Sequence, residues 1–187
     1  MYKILGFVGP SGSGKDTAAR YLAEKYPDMY HYVKLCTTRP QRDKDDDGYI
    51  FLEPQKFLEQ ILNGEMVNAQ EFNGWFYGVN KDGLSKDKIN VFPMSHEMIK
   101  QMTEPGASSE YLFKIIYILT DSKQRLLKIL EREDNPNCEE ICRRYLADLE
   151  DDVDIWNDSN RAISNRYNET FFKTLDINAT TFFTRLG

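Results

Sequence analysis

The sequence predicts an α/β fold, a central parallel sheet flanked by helices, with a small α+β insertion and a lid, and three observations carry that expectation. The chain opens on YKILGFVG, an apolar run of the kind buried on both faces. A glycine-rich turn, GPSGSGK, follows at once. Apolar runs of strand length then alternate with helical stripes through KINVF, SHEMIKQM, YLFKIIYIL and SKQRLLKIL. The 187 residues suit a single domain spanning 1–187.

Each element follows from a local signal. KDTAARYLAEKY sets Ala18, Ala19, Leu22, Ala23 and Tyr26 along one helical stripe directly after the glycine turn. HYVKLC, residues 31–36, reads as a second short strand. The polar stretch TTRPQRDKDDDGYIFL contributes little to a core, so the chain is expected to leave the sheet there. Pro54 stands at the first turn of the helix QKFLEQILN and Gly64 at its stop, and MVNAQEF pairs with WFYGV across Asn73-Gly74, a strong hairpin signal. Residues 37–80 are therefore read as the insertion. EREDNPNCEE is polar, carries Pro136 and joins two helices, and residues 131–144 are read as the lid.

Composition narrows the function classes. A net charge of -6, from 24 basic and 30 acidic residues, argues against a dedicated nucleic-acid or anionic-membrane surface and points to a small partner. Cys36, Cys138 and Cys142 make no paired framework, and with His31 and His96 as the only histidines no zinc-type cluster is expected. The first residues show neither a basic segment ahead of a long apolar run nor a span, so a cytoplasmic protein is expected.

The turn itself carries the chemistry. Gly9, four residues, Gly14 and Lys15 match the phosphate-loop spacing, in which backbone N–H groups and a helix N-terminus face a phosphate and the lysine reaches the outer phosphates. Gly9, Ser11, Gly12, Ser13, Gly14, Lys15, Asp16 and Thr17 are the expected nucleotide cradle. The residue after the lysine is ordinarily a Ser or Thr that holds Mg²⁺; here it is Asp16. A carboxylate is itself a good Mg²⁺ ligand, so Asp16 is the candidate metal residue, the alternative being an acidic first-turn residue favoured by the helix dipole.

With TTRPQR at 37–42, GYIF at 48–51, FNGWFYGV at 72–79 and ICRRYL at 141–146 following the loop in order, the sequence resembles the guanylate kinase family from about residue 4 to about residue 172. The resemblance implies a phosphate-loop kinase that uses ATP and Mg²⁺ to phosphorylate a nucleoside or deoxynucleoside monophosphate. It places Arg39, Arg42, Tyr49 and Tyr77 around the acceptor's phosphate, as guanidinium forks and phenols suit a dianion. It makes Arg132 and Arg144, with Arg143 beside them, the lid residues that contact the transferring phosphoryl group together with Lys15, and Asn165 the contact to adenine. Glu139–Arg143 and Glu140–Arg144 are also i,i+4 pairs in the favourable order, so a plain helix surface is the alternative for Arg143 and Arg144. The base-reading positions depart from the family. Leu35, Asn68, Pro93 and Ser95 stand where hydroxyls and carboxylates read guanine, leaving Asn68 and Gln70, with Glu71 beside them, as the base readers. Altered base specificity is the expectation. A kinase for a modified nucleotide or another hydroxyl acceptor, and an inactive interaction module of the same fold, remain the alternatives.

Overall fold

The structure is a computed structural model and describes residues 1–41, 47–103, 110–132, 138–139, 141–143, 145–146, 148 and 161–183. Five strands form one parallel sheet in the order β2-β7-β1-β8-β9: β1 is Tyr2–Val8, β2 Tyr30–Tyr32, β7 Ile89–Pro93, β8 Tyr111–Leu119 and β9 Arg161–Ser164. The other four, β3 (Leu35–Thr37), β4 (Tyr49–Phe51), β5 (Met66–Phe72) and β6 (Trp75–Asn80), form a second, mixed sheet in the order β4-β3-β6-β5. The helices are α1 (Lys15–Lys25), α2 (Pro54–Leu62), α3 (His96–Thr103), α4 (Ser122–Arg132) and α5 (Glu169–Phe183).

Strand β1 sits between β7 and β8 and is covered on both faces, which is why its sequence is a continuous apolar run rather than an alternation. Ile4 and Val8 join Phe92, Met98, Ile99 and Ile115 in one core cluster. Leu5 and Phe7 pack on the opposite face with Ala18, Ala19 and Leu22 of α1 and Phe171 and Leu175 of α5. The stripe expected for α1 is thus the buried one, with Ala18, Ala19 and Leu22 facing the sheet.

The run 31–36 is not one strand. Tyr30–Tyr32 pairs with β7, Val33 still donates its N–H to the Val91 carbonyl at 3.0 Å, and Leu35–Thr37 has crossed to pair with β4 and β6. An apolar run without periodicity does not reveal where it changes sheet; the exposed Lys34 stands at the crossing.

The insertion's punctuation works as its residues require. Helix α2 starts with Pro54 and ends in a Schellman arrangement, the Gly64 N–H bonding the Ile61 carbonyl and the Glu65 N–H the Gln60 carbonyl, with Gly64 at φ 68°. Asn73 and Gly74 both have positive φ, 56° and 77°, as a two-residue turn between β5 and β6 demands. A bulge interrupts β5 between Met66 and Asn68. Gly78 lies against that bulge, where a Cβ would approach the Asn68 carbonyl oxygen to 2.5 Å and Met66 Cε to 2.9 Å. Because the first obstacle is backbone, Gly78→Ala is expected to destabilise the protein by about 1–3 kcal/mol through overpacking, read from denaturant unfolding; an unchanged midpoint would mean that β6 does not pack so closely on the bulge.

Candidate active site

The carboxyl ends of the parallel strands place four connections along one edge. The turn after β1 leads into α1 through Gly14 (φ 94°), and no side chain caps that helix, so the N–H groups of its first turn are left for an anion. Gly9 (φ 136°) runs so close to β8 that a Cβ would meet the Ile118 carbonyl oxygen at 2.6 Å. Lys15 Nζ folds back and donates to the carbonyls of Gly9 (2.6 Å) and Pro10 (3.0 Å). Gly9, Gly12, Ser13, Gly14 and Lys15 therefore come together as the sequence predicts, in the geometry of a phosphate cradle.

The loop is held from beneath by residues beyond β8. Asn165, buried directly after β9, donates from Nδ2 to the Ser13 carbonyl at 2.8 Å and accepts the Tyr167 N–H on Oδ1 at 2.7 Å. The Tyr167 hydroxyl donates to the Gly12 carbonyl, and burial pushes this phenol up, which keeps it a donor. Thr120 donates to the same Ser13 carbonyl at 3.3 Å. The amide expected to contact adenine is thus engaged with the loop backbone.

A second support was not foreseen. Asp148 accepts the Ser11 N–H at 2.9 Å and a hydrogen bond from Arg125 at 3.3 Å. Arg125 is 2% exposed, its guanidinium 4.4 Å from the Tyr145 ring centre, and Gly12 presses on it, with Cγ 3.0 Å from where a Cβ would stand. The signal was available in part: Arg125 and Ile129 are four apart on the buried stripe of α4, and a charge in such a stripe needs a buried partner. Nothing in the acidic run around Asp148 singles that residue out.

On the insertion, the structure brings Arg39, Tyr49 and Tyr77 together. Arg39 is 5% exposed, with its guanidinium 5.1 Å from the Tyr49 ring centre and 5.5 Å from that of Phe51, while one nitrogen donates to the Pro40 carbonyl at 2.8 Å. Tyr49 meets Tyr77 edge-on at 6.1 Å. Arg42, Arg144, the side chain of Arg132 and much of the segment 131–144 expected as a lid lie outside the described residues; Arg143 is described, in the helical stretch 141–143. The two amides expected to read the base are also described. Asn68 accepts the Val79 N–H on Oδ1 at 3.0 Å across the bulge, and its buried Nδ2 has no partner among the described residues. Gln70 accepts the Ser95 hydroxyl on Oε1 at 2.7 Å, and Ser95 in turn accepts the Met98 N–H at 3.1 Å at the start of α3.

Asp16 is already engaged. Its Oδ2 accepts from Arg20 Nε at 2.7 Å and its Oδ1 from the Tyr32 hydroxyl at 2.5 Å. Burial first, and then the Asp16 carboxylate, hold the Tyr32 phenol far above its usual range, so it remains a proton donor. Among the described residues no group of three or more His, Cys, Asp or Glu side chains is disposed to hold a metal ion. A site for Mg²⁺ needs only one or two carboxylates beside the phosphates; Asp16, expected to serve the ion directly or through water, has a guanidinium on one oxygen and a phenol on the other, which suits a water-mediated contact better than a direct one. Thr17, the next residue of α1, is exposed.

A strand, a glycine turn and an uncapped helix in this order, on a parallel sheet with a small second sheet beside it, define the class as a phosphate-loop kinase fold. Within that class the chain belongs to the guanylate kinase family, whose profile matches residues 2–165. It is 28% identical over 170 residues to the guanylate kinase of Trichormus variabilis, covering 83% of this chain and 82% of the relative. It is 30% identical over 147 residues to that of Helicobacter pylori, covering 69% and 70%. The crystal structure of guanylate kinase from Anaplasma phagocytophilum superimposes with a TM-score of 0.62 at 22% identity, over 96% of this chain and 86% of that one, which shows the shared fold. No described helix is long and apolar enough to cross a membrane.

Asn165→Ala removes a buried donor to Ser13 and strands the Tyr167 N–H. The nucleotide-free protein is expected to lose about 1–3 kcal/mol of stability, read as a fall in Tm. A residue that served only to touch adenine would leave the nucleotide-free Tm where it was and alter ATP affinity alone.

Proposed function

We propose that the chain transfers the γ-phosphoryl group of ATP, in the presence of Mg²⁺, to the phosphate of a nucleoside or deoxynucleoside monophosphate. The observation that carries this reading is the pairing of an intact Gly9–Lys15 cradle with the Arg39–Tyr49–Tyr77 cluster on the neighbouring sheet. The loop's N–H groups and Lys15 bind the donor phosphates, Lys15 leaving the Gly9 and Pro10 carbonyls for them. Arg39 and the two phenols orient the acceptor phosphate, and Arg42, Arg132 and Arg144 complete the positive charge around the transferred group. Phosphoryl transfer asks for this positioning and charge compensation more than for covalent work by the protein. The metal that the family uses enters with the nucleotide, held by its phosphates, with no protein step assigned to it.

The base end supports a change of specificity. Gln70's oxygen serves Ser95 and Asn68's oxygen serves Val79, so one lone pair of each amide oxygen is taken and the N–H donors are the groups the two amides have left in full. Guanine's N1–H and amino group need acceptors; the carbonyls of uracil or thymine and the ring nitrogens of adenine need donors. Strict preference for GMP is therefore lost in this reading. A site that leaves buried polar groups unpaired rejects the wrong base by about 10⁴–10⁵, so the difference is measurable. Specificity constants for GMP, dGMP, dTMP, dUMP, AMP and CMP test it, with Asn68→Glu expected to move activity toward GMP. A preference for GMP or dGMP above about 10³ over every other acceptor, with Asn68 in place, would reject the altered-base reading. Independently, Lys15→Ala is expected to lower kcat by at least about 10²-fold, the loss that follows from removing one preorganised donor to developing charge; near-normal turnover would remove the loop from the mechanism. An inactive interaction module would instead give no Mg²⁺-dependent thermal shift with ATP.

A further inference from the structure

Arg20 joins the two halves of the molecule that must meet during transfer. It lies on α1, one turn beyond Asp16, and its Nε donates to Asp16 Oδ2 at 2.7 Å. Its other end reaches Asp47, NH2 donating to Oδ1 at 2.7 Å and NH1 to Oδ2 at 3.4 Å. The guanidinium lies 4.6 Å from the ring centre of Tyr32, whose hydroxyl completes the set on Asp16. Asp47 precedes Gly48 and Tyr49 and so opens β4, the strand that carries Tyr49 onto Arg39 and Tyr77. Gly48 itself is seated against this group: a Cβ there would stand 3.2 Å from Arg20 NH2, 3.4 Å from the Tyr32 hydroxyl and 3.8 Å from Asp16 Oδ1.

We infer that Arg20 is a positioning residue for the acceptor phosphate, docking the Asp47–Tyr49 segment of the insertion onto the helix that begins at the ATP loop, with Asp16 as its anchor. This rests on the kinase reading above but concerns residues that reading does not use. It also gives Asp16 a role that needs no metal. A guanidinium is suited to the task because its planar fork spans two carboxylates in fixed directions, whereas an ammonium would serve one of them as a point charge. Two further facts agree with the assignment. Burial works to lower the Arg20 pKa, yet its hydrogen bond and charge interaction with Asp16 carry the net direction upward, so the group stays charged. The hydrogen bond from Arg20, with its charge, holds Asp47 below the usual carboxylate range. Arg20 is therefore charged and Asp47 ionised where the two pair.

The test is binding of GMP and of dTMP by calorimetry, in EDTA and without ATP, to wild type, Arg20→Ala, Asp47→Asn, Asp16→Asn and the Arg20→Ala/Asp47→Asn double variant. The expected result is a Kd for the tighter of the two that rises at least about fivefold in each single variant, with the double variant little worse than either, because the two residues act through one contact. In Asp47→Asn, which leaves the Arg20–Asp16 pair in place, ATP affinity should stay within about twofold, and in turnover assays the effect should fall on the acceptor KM rather than on kcat. Asp47 is an exposed residue, so Asp47→Asn gives a readable answer even if Arg20→Ala folds poorly. Unchanged acceptor affinity in Asp47→Asn, a parallel loss of ATP and acceptor binding in that variant, or an Asp16→Asn effect confined to Mg²⁺-containing buffer would each overturn the inference. So would a wild type that binds neither monophosphate. Binding without turnover would reject the kinase reading while leaving the comparison of variants to decide this one.

Discussion

Everything at the site depends on the parallel pairing of β1 between β7 and β8. Parallel strands end together, so the connections that leave them are gathered on one edge of the sheet without any of them having to be long. The Met94 N–H bonds the Phe7 carbonyl at 2.8 Å, the Asn165 N–H the Leu119 carbonyl at 2.7 Å, and the Ser13 carbonyl receives both Asn165 and Thr120. Residues more than 150 positions apart in the chain thus hold one loop by its backbone. The energy behind this order is hydrophobic: both faces of β1 are sealed, and the fully buried side chains among Ile4, Leu5, Phe7 and Val8 each contribute about 1.5–3 kcal/mol. The polar contacts add direction to a position that burial has already fixed.

The charged groups near the loop fall into two kinds, and magnitude separates them. Arg125 is enclosed, so removing Asp148 would leave a buried charge with a ring and no counter-ion among the described residues, a cost of about 3–5 kcal/mol. That pair is a structural commitment of the fold. Arg20 is different: with side chains 28% and 49% exposed, the Arg20–Asp16 pair is worth only about 0.3–0.5 kcal/mol, as for other i,i+4 pairs on a helix. A contact so weak does little for stability. What it does is select one arrangement of two segments whose separation matters to chemistry, and small energies suffice for that when the segments are otherwise packed.

Much of the fold was legible because its signals are local. The glycine spacing of the loop, Pro54 and Gly64 around α2, Asn73-Gly74 between β5 and β6, and the stripe on α1 each act within a few residues, and each is observed. The strand break between Tyr32 and Leu35 was not legible, since which sheet a short apolar segment joins is decided by its partners, β7 for one half and β4 and β6 for the other. The same holds within the site. Arg39, Tyr49 and Tyr77 were read from motifs and do meet; the roles of Arg20, Tyr32, Arg125, Asp148 and Tyr167 come from contacts across 16 to 155 positions, or from burial, and no spacing rule encodes them. Asn165 shows the intermediate case, where the position was identified but its side chain serves the loop backbone.

The carboxylate at position 16 is the point where sequence and structure inform each other most. A hydroxyl there is neutral, whereas a bare carboxylate beside a loop shaped for phosphates would repel their charge. The substitution is tolerable only if another group cancels that field. Arg20 is placed to do so: bonded to Oδ2 at 2.7 Å, it turns an isolated negative charge into a compact pair whose potential falls off faster with distance. Tyr32 takes the other oxygen and fixes the carboxylate's orientation. Because the compensating guanidinium has a second carboxylate at Asp47, the neutralisation of Asp16 and the docking of the insertion are one arrangement. A change at the glycine loop that looks like a defect in a phosphate-binding motif is thereby tied to the segment that leads into Tyr49, and the two positions are expected to vary together with the arginine between them.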